Sequence, residues 1–402
     1  MPVRIPDHVP PERIRDVDIY CLPGQNEDFH AAWKALQDSS PNLIWTPRNE
    51  GHWIALRGEV LSEVQSNHVR FSSRVIKVPK SIGELQNMIP TTVDPPEHRP
   101  YRILLNERLA PGAVRGMREH VRQTAISLID SFRTDGYCDF KEQYAQIFPI
   151  KVFMHLVGLP MADVPRLKIW AESMTRPNPP MPFEQGRAAL FDYIAPVVAI
   201  RRLNPDEDLV SHIANAEIQG RKLSDEEAVK FVAQVMVAGL DTVVNFLSFA
   251  FRHLAHDATA RHFLAQDPAR ILPAVHELFR RYGLVTIGRE VRVDTVLDGV
   301  LLKAGEMVST PTQVHGLDER ANVDPMRVDF ARKRPRHSAF GSGPHMCPGQ
   351  ELARLEVATT IEEWLKRIPN FTIAEDADTS CAGGIVGQIN RLTLCWDPAE
   401  PA

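Results

Sequence analysis

Cysteine is scarce in this chain: five among 402 residues, Cys21, Cys138, Cys347, Cys381 and Cys395. An odd, scattered set argues against a disulfide framework. His345 lies two residues before Cys347, yet no second Cys/His pair with metal-site spacing accompanies it, so a zinc site is not expected. No repeat or low-complexity linker divides the chain, and one domain over 1–402 is the expectation. Aromatics make up 7% of the residues and the net charge is −5; with no base-stacking array beside its basic clusters, nucleic acid is not an expected partner. The most apolar stretch, Phe231–Leu247, has only about ten consecutive uncharged residues, too few to span a membrane. Residues 1–11 have no apolar h-region, so neither a signal peptide nor an anchor is expected. Their prolines predict an extended arm over 1–24, and the expected location is the cytoplasm.

Hydrophobic residues account for 44% of the chain, enough for a large core. Helical periodicity covers Ala113–Asp135, Glu142–Val157, Phe183–Leu203, Asp225–Ala255 and Asp257–Tyr282. Short strand-like runs occur at Trp53–Leu56, Val291–Leu297 and Arg391–Trp396. The fold class is mainly α with small β-sheets.

One loop carries chemistry. Phe340-Gly341-Ser342-Gly343-Pro344-His345-Met346-Cys347-Pro348-Gly349 leads into a helical stretch from Gln350. Its glycines permit tight backbone around a sulfur, and amides opening the helix stabilise a thiolate there. Such a thiolate is a candidate axial ligand for haem iron, where it favours O–O cleavage. Pro348 has no N–H and removes one donor to that sulfur. Taken alone, a cysteine between loop and helix is more often a buried structural residue.

Upstream, Glu277 and Arg280 stand three apart on one helix face and can pair. A second guanidinium, from Arg327, could satisfy the remaining carboxylate oxygen; a surface ion pair is the plainer alternative. The apolar run at Phe231–Leu247 marks a central buried helix. Within it, the Thr242 hydroxyl can bond back to the Ala238 carbonyl and distort the helix. Asp241 beside it is costly to bury without a reason.

Phe340, Gly343, Cys347 and Gly349 meet every fixed position of Phe-x-x-Gly-x-x-x-Cys-x-Gly, and the loop thereby resembles the haem-binding signature of the cytochrome P450 superfamily. Glu277-Leu278-Phe279-Arg280 is similar to its Glu-x-x-Arg, and Pro325-Met326-Arg327 to the arginine segment completing a Glu277, Arg280, Arg327 triad. Ala238–Phe249, Ile89–Arg102 and Gly316–Arg320 are similar to the bacterial camphor 5-monooxygenase group, and the likeness runs from about residue 25 to Trp396. It implies a triangular α-helical prism with small sheets, holding haem b. Cys347 would be the iron ligand in a loop shaped by Phe340, Gly341 and Gly349, while Arg102, Arg289, His345 and His98 would meet the haem propionates. Asp241 and Thr242 would serve as the acid-alcohol pair for oxygen activation, with Lys168 and Arg176 as partners of Asp241.

The departures bear on substrate. Gln86 stands where the camphor group has a tyrosine that bonds its ketone, Lys77 replaces an aromatic and is expected to point to solvent, and Gln234 replaces an apolar residue. Losing a directional contact changes regioselectivity. Ile287 replaces an aspartate beside Val285, and with Thr91, Val237, Ala238, Ile385 and Val386 completes an expected pocket for a small hydrophobic molecule, a terpenoid or norisoprenoid ketone. Arg99, Arg332, Lys333, Arg334 and Arg336 form a basic patch suited to an acidic electron donor. The resemblance implies a [2Fe–2S] ferredoxin reduced by an NADH-dependent reductase, with O2 as co-substrate. A peroxide-using peroxygenase and a non-catalytic haem-thiolate sensor or binding protein are the alternatives.

Overall fold

A computed structural model describes residues 3–399. Helices dominate, and those that build the site are α1 (His98–Leu109), α2 (Arg118–Asp130), α3 (Phe148–Val157), α4 (Val164–Thr175), α5 (Phe183–Leu203), α6 (Asp225–Gly239), α7 (Thr242–His256), α8 (Ile271–Arg281) and α9 (Gln350–Leu365). The largest sheet has five strands: β1 (Leu43–Thr46), β2 (His52–Ala55), β3 (Phe71–Ser72), β4 (Thr286–Val291) and β5 (Met307–Pro311). Their order is β1-β2-β5-β4-β3, with β2 and β5 parallel and the other neighbours antiparallel. The mainly α class with small sheets holds.

The central axis is α6–α7. Ser224 and Glu227 form a reciprocal capping box that starts α6. The helix then breaks at Leu240 and Asp241, where Asp241 has φ −133° and ψ −32°. The Thr242 hydroxyl faces the Ala238 carbonyl at 3.5 Å, the expected back-bond across the break. Gly239 lets the axis approach α3 closely: a Cβ there would sit 2.3 Å from the Phe153 ring. The two apolar clusters of the core meet on this axis, Val244 belonging to one and Phe246 to the other. The stretch Asp225–His256 is long and apolar enough to cross a membrane, but 67% of its most apolar window is buried inside the protein.

Four sequence expectations shift. Glu142–Val157 divides into a π-helical turn, Phe140–Ala145, and α3 from Phe148. Asp257–Tyr282 is two helices, Ala258–Ala265 and α8, separated by a turn in which Asp267 caps Ala269 and Pro268 supplies no N–H. Val291–Leu297 is two strands rather than one: β4 ends at Val291, and Thr295–Leu297 pairs instead with Val300–Leu302 in a hairpin turning at Asp298 and Gly299, both with positive φ. Ala113–Asp135 breaks at Met117, ahead of α2. In the N-terminal arm, Ile14 bridges Trp45 and the Tyr20 hydroxyl donates to the Val78 carbonyl at 2.6 Å.

Candidate active site

The cysteine loop is built to close on itself. The Cys347 amide donates to the Phe340 carbonyl at 2.8 Å, and Gly341 and Gly343 take φ of 76° and 70°, a region that favours glycine. Phe340 is held against Phe279 with ring centroids 4.6 Å apart, and the Arg354 guanidinium lies 4.9 Å above its ring. Burial pushes the Cys347 thiol up, while the Gly349 amide, Arg102 and Arg354 pull it back down. The residue between, Pro348, donates nothing.

Cys347 lines a cavity of about 350 Å³ that it shares with Thr242, Ala238, Gln234, Phe246 and Ile287. Cys138 and Cys381 are buried elsewhere, and neither they nor Cys21 and Cys395 reach this wall.

Four cationic or basic groups gather at its edge. Arg289, on β4, is 2% exposed and among the described residues donates only to the Gly288 carbonyl at 2.8 Å; burial, partly offset by Asp94, pushes it down to about 10. Arg102, on α1, reaches the Met346 carbonyl and, at 3.1 Å, the Asn106 side chain. The His98 and His345 rings lie 4.1 Å apart. Burial and the neighbouring positive charges push them down to about 4 and about 2. Among the described residues no carboxylate pairs with any of the four, and the buried His345 Nε2 has no partner. Buried charge without a counter-charge is expensive, so this edge suits an anionic group supplied from outside the chain.

The triad forms with a different third member. Both Glu277 oxygens accept from Arg280 at 2.8 Å, and Arg332 Nε reaches the same oxygens at 3.2 and 3.0 Å. Arg327 contributes only its backbone carbonyl, which accepts from Arg280 at 2.8 Å. Its side chain is exposed, whereas that of Arg332 is 13% exposed. The reason is local: Arg280 already occupies the carbonyls of Pro325 and Arg327, and the Asp329 amide donates to Glu277 at 2.9 Å, so the chain turns and the next arginine inward is Arg332. The basic patch therefore loses Arg332 and gains Arg327; Arg99, Lys333, Arg334 and Arg336 are exposed.

Asp241 is buried. Its Oδ1 accepts from Arg176 at 2.6 Å and from Asn245 at 2.7 Å, while Oδ2 is buried without a partner. Arg176 is the expected partner; Lys168 is not, because it reaches Gln146 instead. Asn245, one turn along α7, was legible from its i+4 spacing.

Of the expected pocket residues, Thr91, Gln234, Ala238, Val285 and Ile287 line the cavity, and Gln86, Val237, Ile385 and Val386 do not. Val237 turns into the core cluster on the other side of α6. Ile385 and Val386 back the wall through their main chain, the first accepting from Thr286 and the second bridging Val285. Gln86 is buried without entering the lining. Val235, Gly239, Val243 and Phe246 line it instead; helical spacing from Thr242 would have selected Val235, Gly239 and Phe246, but not Val243. Lys77 corrects a further expectation. It is 6% exposed, donates to the Met174 carbonyl at 2.9 Å and lies 4.0 Å above the Phe183 ring. Burial pushes it down to about 7.

The comparisons agree with this architecture. A crystal structure of CYP101J2 superposes with a TM-score of 0.91 at 42% identity, covering 98% of this chain and 100% of that one. A probable cytochrome P450 127A1 from Sinorhizobium fredii is 33% identical across 98% of this chain and 97% of its own length. The chain belongs to the cytochrome P450 family. The family model itself matches residues 181–378, and a crystal structure of CYP101C1 also superposes at TM-score 0.91, with 35% identity over 98% of this chain. The protein thus stands beside the CYP101 group of bacterial P450s and is a P450 monooxygenase. P450 enzymes carry haem with an axial cysteine thiolate, and the residues here fit it: one cavity-facing cysteine, an apolar wall, and at one edge two arginines without an ion pair among the described residues beside two histidines that can donate.

Proposed function

We propose that Cys347 is the axial thiolate, that Arg102, Arg289, His98 and His345 hold the haem carboxylates, and that residues 1–402 act as one domain. When bound, the haem supplies oxygen activation; the chain binds the substrate, orients it and manages protons. Asp241 keeps one oxygen pinned by Arg176 and Asn245 and the other free, so the free oxygen can pass a proton from water to the Thr242 hydroxyl, which faces the cavity. The product is one oxygen atom from O2 inserted into a C–H bond of a small hydrophobic substrate, in our reading a terpenoid or norisoprenoid ketone.

The exposed cluster Arg99, Arg327, Lys333, Arg334 and Arg336, together with Arg102 beside the Met346 carbonyl, supports docking of an acidic [2Fe–2S] ferredoxin that is itself reduced by an NADH-dependent reductase. Cytoplasmic location follows from that partnership.

One observation carries the reading: Cys347 and Thr242 face each other's cavity, and the cavity's edge holds four groups that lack a carboxylate. Carbon monoxide added to the reduced protein should give the red-shifted band of thiolate-ligated haem, and Cys347→Ser should abolish it. A peroxygenase or a sensor would have no use for the Asp241–Thr242 arrangement. Thr242→Ala separates the three: a monooxygenase keeps consuming NADH while product falls at least tenfold and hydrogen peroxide rises. Unchanged product would favour the peroxygenase.

A further inference from the structure

Gln234 is an anomaly in the cavity wall. It sits on α6, and its Oε1 is buried without a hydrogen-bond partner. Its amide nitrogen makes no hydrogen bond among the described residues either. Most of the surrounding lining is hydrocarbon, including Phe153, Leu156, Val235 and Ile287. A buried amide oxygen without a partner in such a place costs stability. The group offers two donors and one acceptor, so it can meet a carbonyl, an ether or a hydroxyl.

Position adds regiochemistry. Gln234, Ala238 and Thr242 follow one another at helical spacing on the cavity side of the α6–α7 axis. Gln234 stands one turn before Ala238 on α6, and Thr242 opens α7 beyond the break at Leu240 and Asp241. Ala238, between them, carries only a methyl group and leaves room for a ring.

We propose that Gln234 determines specificity: its carboxamide holds the single oxygen function of an otherwise hydrocarbon substrate and so directs oxidation to a carbon remote from that oxygen. This rests on the monooxygenase reading above. The handle lies on α6, whereas Gln86 does not enter the cavity lining. It also gives a use to a buried carboxamide oxygen that has no partner among the described residues.

The test uses haem-loaded protein and matched probes: camphor against bornane, and fenchone against fenchane. Each pair shares a skeleton and differs only in the ketone. Calorimetry should show the ketone of at least one pair binding about five- to tenfold tighter than its hydrocarbon. In Gln234→Leu that ratio should fall to about one, with the hydrocarbon bound as well as before or better. Gln234→Met, close in volume, repeats the measurement if leucine disturbs α6. Turnover should shift in parallel, from one product oxidised far from the carbonyl to a mixture. An unchanged ratio in both variants overturns the proposal, as does a ratio that collapses in Thr91→Val and not in the Gln234 variants, or failure of every probe to bind a protein whose thiolate-haem band is normal. Absence of that band would instead overturn the haem-thiolate reading and is told apart by the spectrum alone.

Discussion

Two charge clusters adjoin the cysteine loop, one through Phe279 against Phe340 and one through Arg102 at the Met346 carbonyl, and they are built on opposite principles. Around Glu277 every charge is answered: Arg280 is fully buried, and it and Arg332 share the carboxylate while three backbone carbonyls, of Gly316, Pro325 and Arg327, absorb the remaining Arg280 donors. Around Arg289 no carboxylate among the described residues forms an ion pair with Arg102, His98 or His345, and Asp94 acts on Arg289 and His98 only from a distance. A closed cluster is part of the fold, since removing one member strands the rest. An open cluster is destabilising in the bare chain and reads as a receptor. Breaking the first should therefore damage folding, and relieving the second should improve the bare fold while damaging the haem complex.

The largest effect is expected in the closed cluster. Arg280→Ala leaves Glu277 and several carbonyls unanswered and should cost about 3–5 kcal/mol, measured as a lower denaturant midpoint with unchanged slope. Arg332→Ala should cost about 1–3 kcal/mol, because its charge-assisted bonds to Glu277 are partly exposed. Arg327→Ala should lie within about 0.5 kcal/mol of the parent, as exposed side chains usually do. Equal losses for Arg327→Ala and Arg332→Ala would reverse the assignment of the triad.

That reversal also marks what the sequence could tell. The cysteine loop was legible because glycine, proline and cysteine at fixed spacing impose a local backbone that distant contacts do not alter. The Glu277–Arg280 pair was legible because three residues on a helix meet whatever surrounds them. The third arginine was not: Arg327 and Arg332 lie in irregular chain, and which one turns inward depends on the carbonyls that Arg280 occupies. The pocket divides the same way. Ala238 and Thr242 follow from helical spacing, whereas Val237, one residue off that face, points into the core, and Ile385 and Val386 act through backbone that no side-chain pattern announces. Lys77 was misread because a lysine is rarely buried without a partner.

The open cluster provides the second prediction. Arg289→Leu removes a cation that is 2% exposed and has no ion-pair partner among the described residues. The haem-free protein should unfold at the same or higher denaturant concentration, by about 1 kcal/mol. Haem affinity should fall at least about tenfold, the usual worth of a charge-assisted bond, measured by transfer of haem to apomyoglobin. Losses of similar size with and without haem would make Arg289 part of the fold and erase the contrast between the clusters.

Lys77 tests the comparison from a third direction, since it is a buried cation with neither a carboxylate nor a cofactor edge, only the Met174 carbonyl and the Phe183 ring. Burial lowers its native value to about 7, while the unfolded chain keeps a lysine protonated up to its ordinary range. Between those limits the unfolded state holds more protons, so this residue makes stability rise with pH by up to about 1.4 kcal/mol per unit. Lys77→Met keeps the volume and removes the titration. The variant should be the more stable protein at pH 7, and its advantage should shrink steadily between pH 7 and pH 10 as the cost of deprotonating Lys77 on folding falls toward zero. Denaturant unfolding across that range reads the difference directly. A constant gap would mean that the ring and the carbonyl together satisfy the ammonium as fully as Glu277 satisfies Arg280, and that a buried cation here needs no anion at all.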